Sequence, residues 1–160
     1  RHLHGSPAHE RFFCMNAGGV CVLDSISGKG EHSVESFLHF HPAIVLEAIR
    51  GEGLAEAGVA ALRNAFPQHG PYGRFERAGW RWRLDAPGTA GGGLVVALWP
   101  AGIEATVDKG TGSYAPAFST EEQAAFLRLS ARCALPVRLG WFMSDDASCG
   151  YGSTQPRAMP

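Results

Sequence analysis

The sequence has no long apolar run: none approaches the roughly 18 residues that a membrane-spanning helix requires. It has no excess of either charge. Lys and Arg total 14 and Asp and Glu total 15, a net charge of −1. That balance gives no overall pull toward nucleic acid or an anionic membrane surface, and neither is expected as a partner. None of the four cysteines, Cys14, Cys21, Cys133 and Cys149, sits in a Cys-x-x-Cys pair, which argues against a zinc ribbon. Self-contained catalytic signatures are missing too. There is no phosphate-binding loop, no Gly-x-Gly-x-x-Gly and no His-Glu-x-x-His. Ser130, Ser144 and Ser148 lack the Gly-x-Ser-x-Gly setting of a nucleophile elbow. No tandem repeat is visible, and no cofactor is implied. The chain opens at Arg1 with neither Met nor a signal peptide, and it reads as a fragment or processed product.

What is present points to β structure in one domain. The 160 residues are 45% hydrophobic, enough for a core, and include 21 glycines and 10 prolines. Short apolar runs alternate with Gly, Pro and Asp turns. "RFFCM" (Arg11–Met15) meets "GVCVLDS" (Gly19–Ser25) through Asn16–Gly18. A turn centred between Ala17 and Gly18 pairs Cys14 with Cys21 and Arg11 with Asp24. Phe12, Cys14, Cys21 and Leu23 then share one face, and Arg11 and Asp24 the other. Cys14 and Cys21 are expected as two small buried thiols, with a disulfide as the alternative.

A Ser- and Gly-rich turn, Ser25–His32, leads into a strand from Ser33 to about His41. Period two places Val34, Leu38 and Phe40 on one face, with Ser36 between them. Glu35, Phe37, His39 and His41 fall on the other. Pro42 ends the run. Within Glu52–Phe66, Leu54, Leu62 and Phe66 follow a spacing of four, but Gly58 breaks the stripe. A short helix and an irregular insertion both remain open there. Strand signal returns from Arg74. "GWRWRLDA" sets Trp80, Trp82 and Leu84 against Arg81 and Arg83. Gly93–Pro100 is a near-continuous apolar strand, and Ile103–Asp108 follows a tight turn. Ala124–Met143 reads as two strands broken near Pro136. A polar tail, 144–160, is expected to be ordered only in part. About eight strands without βα alternation predict an antiparallel β-sandwich over residues 1–143.

The histidines admit three readings. His39 and His41 can share a metal with Glu35 or Asp24, can line a polar groove, or can simply be surface and packing residues. Phe37, among the polar residues of that face, suggests that the face is partly covered. Arg11, Arg81 and Arg83 suit paired hydrogen bonds to acidic groups, or are solvated sheet-face charges.

The block "HGSPAHERFFCMNAGGVCVLDSISGKGEHSVESFLHFHP" resembles the C-terminal β-sandwich region of the heparinase II/III-like polysaccharide lyase family. The matching positions are His9-Glu10-Arg11, Val20-Cys21-Val22-Leu23-Asp24, Gly30-Glu31-His32 and His39-Phe40-His41-Pro42. Glu10 stands where the family pattern has Arg. Downstream, "GTGSYAPAFSTEEQAAFLRL" holds the pattern at Ser113, Tyr114, Pro116 and Phe118, with Ser119 replacing the usual glycine. "LPVRLGWFM" looks like the strand that ends the lyase sandwich.

The resemblance implies a parent protein in which a helical toroid precedes the sandwich. β-Elimination on a uronic acid takes place in the cleft between them, in a periplasmic or secreted setting. It implies an acidic polysaccharide and the N-terminal toroid as partners. The family's catalytic Asn and Tyr lie in the toroid, and its key His and zinc ligands in and after a His-x-His-x-Asp segment. His2-Leu3-His4 is followed by Gly5-Ser6 and no Asp, so no catalytic or metal role carries over. The expectation is a sandwich inactive on its own, with Arg11, His39, His41, Arg81, Arg83 and Tyr114 contacting substrate. Two alternatives are a stand-alone carbohydrate-binding sandwich, stacking sugars on Trp80, Trp82, Trp99 or Trp141, and a small metal-binding β protein.

Overall fold

Alternation of period two turns the front of the chain into a hairpin and a third strand. The computed structural model describes residues 5–16, 19–49, 54–70, 73–84, 91–115, 117 and 120–145. His2, His4, the turn at Ala17 and Gly18, Pro116, Phe118, Ser119, Cys149 and the tail from 146 onward lie outside them. Strand β1 (Ala8–Asn16) pairs antiparallel with β2 (Gly19–Ser27), with Cys14 opposite Cys21 and Arg11 opposite Asp24. The hairpin register is therefore the one the parity predicts. Strand β3 (Glu31–His39) starts and stops two residues earlier than expected. The Phe40 N–H still bonds Ala125 O at 3.0 Å, and the chain then turns, with Ile44 N donating to His41 O at 2.8 Å.

The remaining elements are β4 (Ile44–Ile49), helix α1 (Leu54–Ala65), a 3-10 turn over Pro67–His69, β5 (Phe75–Leu84), β6 (Gly92–Pro100), β7 (Ala105–Tyr114), β8 (Glu122–Ala134) and β9 (Val137–Ser144). Strand β4 was not anticipated; its apolar residues do not alternate cleanly with polar ones. Within the stretch 52–66, where helix and irregular insertion were both open, Leu54–Ala65 is a helix, and Glu52 and Gly53 lie outside the described residues.

The strands form two antiparallel sheets, a large one ordered β1-β2-β9-β6-β5-β4 and a small one ordered β3-β8-β7. The break foreseen near Pro136 is where the chain leaves the small sheet at β8 and enters the large one at β9. The predicted all-β sandwich is thus the fold, with one helix laid on its outside. Val22, Leu46, Trp80, Val95, Leu127, Leu129, Leu139 and Trp141 build the core between the sheets. Cys21, Leu23, Leu62, Phe66, Leu94, Val96, Leu98 and Phe142 build a second core under the helix.

Two cores explain why β6 reads as continuously apolar. Leu94, Val96 and Leu98 face the helix, while Val95 and Ala97 face the small sheet. A strand covered on both sides has no solvent face on which to place polar residues. The gap in the helical stripe lies at the contact between helix and sheet, where the space would admit an alanine. Gly58 is buried, and a Cβ there would meet Val96 Cβ at 3.5 Å and Leu98 Cδ1 at 3.6 Å. Leu62 sits directly over Gly140, in space that a Cβ on Gly140 would fill.

The sheets are also tied at their rims. Lys109, on edge strand β7, donates to Leu46 O on edge strand β4 at 3.2 Å. At the opposite rim, side chains of β1 and β2 reach β3. Among the described residues no helix is long and apolar enough to cross a membrane.

Candidate functional site

The rim between β2 and β3 holds a charged group at an inward-facing position. Asp24 lies on the face of β2 that looks toward the small sheet, and only 1% of its side chain is exposed. An isolated buried carboxylate costs several kcal/mol, so its partners decide whether it is tolerated. Arg11 donates from Nε to Oδ1 at 2.6 Å and from Nη2 to Oδ2 at 2.7 Å. Ser36 donates to Oδ2 at 2.5 Å. His9 Nε2 lies 2.8 Å from Oδ1. Burial pushes the carboxyl pKa up, but hydrogen bonds from Arg11, Ser36 and His9, with the Arg11 charge, outweigh it and hold the pKa below the usual value. Asp24 is therefore a carboxylate that accepts four hydrogen bonds, and His9 Nε2 must be the donor.

Ser36 is used to capacity as well. Its hydroxyl accepts from Arg11 Nη2 at 2.9 Å and from Trp141 Nε1 at 2.8 Å while donating to Asp24. The network joins β1, β2 and β9 of the large sheet to β3 of the small one. Its signal in the sequence was the presence of Ser36 and Asp24 at inward positions of otherwise apolar strand faces. Beside it opens a cavity of about 200 Å³, lined in part by His9, Asp24, His32 and Ser36.

The outer face of the small sheet carries a different group of side chains. Register places Phe37, His39, Phe126 and Arg128 on one face, since Phe37 pairs with Arg128 and His39 with Phe126. The Phe37 and His39 rings lie 6.0 Å apart and within 20° of parallel. Phe126 is tilted against both, at 5.8 Å from Phe37 and 5.7 Å from His39. On β7, Gly110 lies opposite Phe126 and leaves room for its ring. At the end of this face His41 meets Tyr114 edge-on at 5.6 Å. The His41 Nδ1 accepts from Ala43 N at 3.2 Å. Arg128 is flanked by Glu35 at 3.7 Å and Asp108 at 3.4 Å, and its Nε has no hydrogen-bond partner among the described residues.

Of the six residues expected to contact substrate, His39, His41 and Tyr114 are thus on one face of the small sheet. Arg11 lies at the rim, with Nε and Nη2 already committed to Asp24 and Ser36. Arg81 and Arg83 are on β5, on the face opposite Trp80 and therefore away from the small sheet. Phe126 and Arg128 were missed. Their signal was the alternation in "AAFLRLSARC", where Phe126 and Arg128 alternate with buried Leu127 and Leu129.

The tryptophans belong to packing. Trp80 and Trp141 are buried, and Trp82 and Trp99 pack against the inter-sheet core. Trp82 Nε1 donates to Ser144 O at 2.9 Å. Cys14, Cys21 and Cys133 are free thiols. Among the described residues no group of three or more His, Cys, Asp or Glu side chains is placed to hold a metal. No family model matches the chain, and no curated protein or solved structure matches it either.

Proposed function

We propose that the chain is the sandwich portion of a heparinase II/III-like polysaccharide lyase, and that it carries out no elimination alone. The observation that carries the reading is the outer face of the small sheet, where His39, His41 and Tyr114 join Phe37, Phe126 and Arg128. Such a face suits one wall of a cleft for an acidic glycan. Flat rings take the apolar faces of sugar rings, while imidazole and phenol groups reach hydroxyls and leaving-group oxygens. The Arg128 ion pairs are long and its partners are solvent-exposed. Pairs of that kind are worth about 0–1 kcal/mol, so a glycan carboxylate or sulfate competes with them. The Arg11–Asp24 pair supports the reading further, because both residues belong to the block that carries the resemblance.

Elimination needs three groups: one to neutralise the uronate carboxylate, a base for the α-proton and an acid for the leaving oxygen. In this reading the toroid supplies the opposite wall and the remaining groups. Pure protein incubated with heparan sulfate or alginate should give no rise in the absorbance of unsaturated ends. Clear turnover would sink the reading. Binding of the same polymers should weaken in the double variant His39→Ala/Tyr114→Ala. The stand-alone carbohydrate-binding alternative uses the same face and requires tight binding without a toroid. The half-buried and buried indoles make a tryptophan platform a poor basis for it.

A further inference from the structure

We infer that the cavity beside Asp24 is a subsite for one uncharged sugar ring, whose hydroxyls donate to His9 and His32. Of the outer-face residues it shares only Glu35, which flanks Arg128 there, and it stands whether or not that face engages an acidic chain.

Size is the first constraint. The cavity holds about 200 Å³, below the roughly 300–1,000 Å³ of clefts that take drug-sized ligands. Wall chemistry is the second. Pro7, Ile26, Val34 and Leu135 make apolar surface, and His9, His32, Ser33 and Glu35 make polar surface. A pyranose has the same division, with C–H faces and a belt of hydroxyls.

The third constraint is the direction of the hydrogen bonds. Asp24 cannot serve a ligand, because its carboxylate already accepts from Arg11, Ser36 and His9. It does fix His9. With Nε2 donating to a carboxylate, Nδ1 of the neutral ring is a bare acceptor, and 54% of the side chain remains exposed to present it. His32 is set in the same way, since its Nε2 lies 3.0 Å from the Lys29 carbonyl, which can only accept. Two imidazoles are thus held as acceptors by oxygen atoms behind them. The Glu35 carboxylate adds a third acceptor. Among the described residues no cation lines the cavity, and the Arg11 guanidinium is turned onto Asp24. The site therefore favours ligands rich in O–H donors and disfavours carboxylate, sulfate and phosphate groups.

The test follows the histidine ring signals of the whole chain in long-range proton–nitrogen spectra. D-Glucose, D-galactose, D-mannose and N-acetyl-D-glucosamine are titrated in turn, and D-glucuronate, D-galacturonate and D-mannuronate serve as charged counterparts. At least one neutral sugar should move the His9 and His32 signals saturably while His39 and His41 stay in place. The matching uronate should bind about tenfold more weakly or worse, as should the neutral sugar to His32→Ala, which leaves the Asp24 network untouched. His9→Ala, read from His32, should behave likewise. Absence of saturable shifts with every neutral sugar would overturn the inference. So would uronates that bind as tightly, or affinity that survives both substitutions.

Discussion

Arg11 reaches across the first hairpin to Asp24, its directly opposed partner, and holds both carboxylate oxygens, Nε to Oδ1 at 2.6 Å and Nη2 to Oδ2 at 2.7 Å. The pair does more than close a hairpin. Through Ser36 and Trp141 it binds the edge of the large sheet to the small one.

Removing one side of this pair should be costly. Asp24→Ala leaves the Arg11 charge and the Ser36 hydroxyl without their acceptor, and it should destabilise the fold by about 3–5 kcal/mol, measured by urea unfolding. The pH dependence follows from the lowered carboxyl pKa. The stabilisation is fully present above the unfolded-state value of about 3.9, and it is lost as pH falls through the lower folded-state value. Asp24→Asn should be less stable at neutral pH and should show a flatter acid limb. An unchanged acid limb would mean that other carboxyls set it.

Two glycines at the contact between helix and sheet, Gly58 on α1 and Gly140 on β9, should respond in opposite directions. At Gly58 a Cβ meets Val96 and Leu98 at ordinary contact distances, so Gly58→Ala should stabilise by about 0.5–1 kcal/mol through helix propensity. At Gly140 the Cβ would occupy the place of the Leu62 side chain, which is fully buried. Gly140→Ala should cost about 1–3 kcal/mol through overpacking. Thermal and urea midpoints of the two variants check the contrast.

The two faces of β3 should differ in their sensitivity to truncation. Leu38 packs against the inter-sheet core but is only partly buried, so Leu38→Ala should cost about 2 kcal/mol, the low end for buried leucines. His39 is exposed on the outer face, and His39→Ala should cost well under that. Equal losses in urea titrations would contradict the assignment of faces.

Cys21 should be slow to react. Burial, with a smaller contribution from the neighbouring Cys14, pushes its thiol pKa up to about 11. Almost no thiolate is then present at neutral pH, and the thiolate is the nucleophile. Mass spectrometry after brief iodoacetamide treatment should find Cys21 unmodified in the native protein and modified after denaturation.

The sequence by itself determined the local part of this structure. Side-chain direction in a strand reverses at every residue, so Val34, Ser36, Leu38 and Phe40 were bound to one face and Glu35, Phe37 and His39 to the other. The same rule, with a short turn, set Arg11 opposite Asp24 and Cys14 opposite Cys21. Period two says which face a residue shares with its neighbours; it does not say which strand will lie alongside. Tertiary structure decided that β9 inserts between β2 and β6 while β8, adjacent to it in the chain, joins the other sheet. That choice brings His39 to Phe126 and Trp141 to Ser36, partners separated by long stretches of chain. It also sets Gly58, a flaw in the helical stripe, against Val96 and Leu98 of β6. These outcomes depend on burying both faces of the large sheet at once, a condition set by the whole chain and absent from any short window of it.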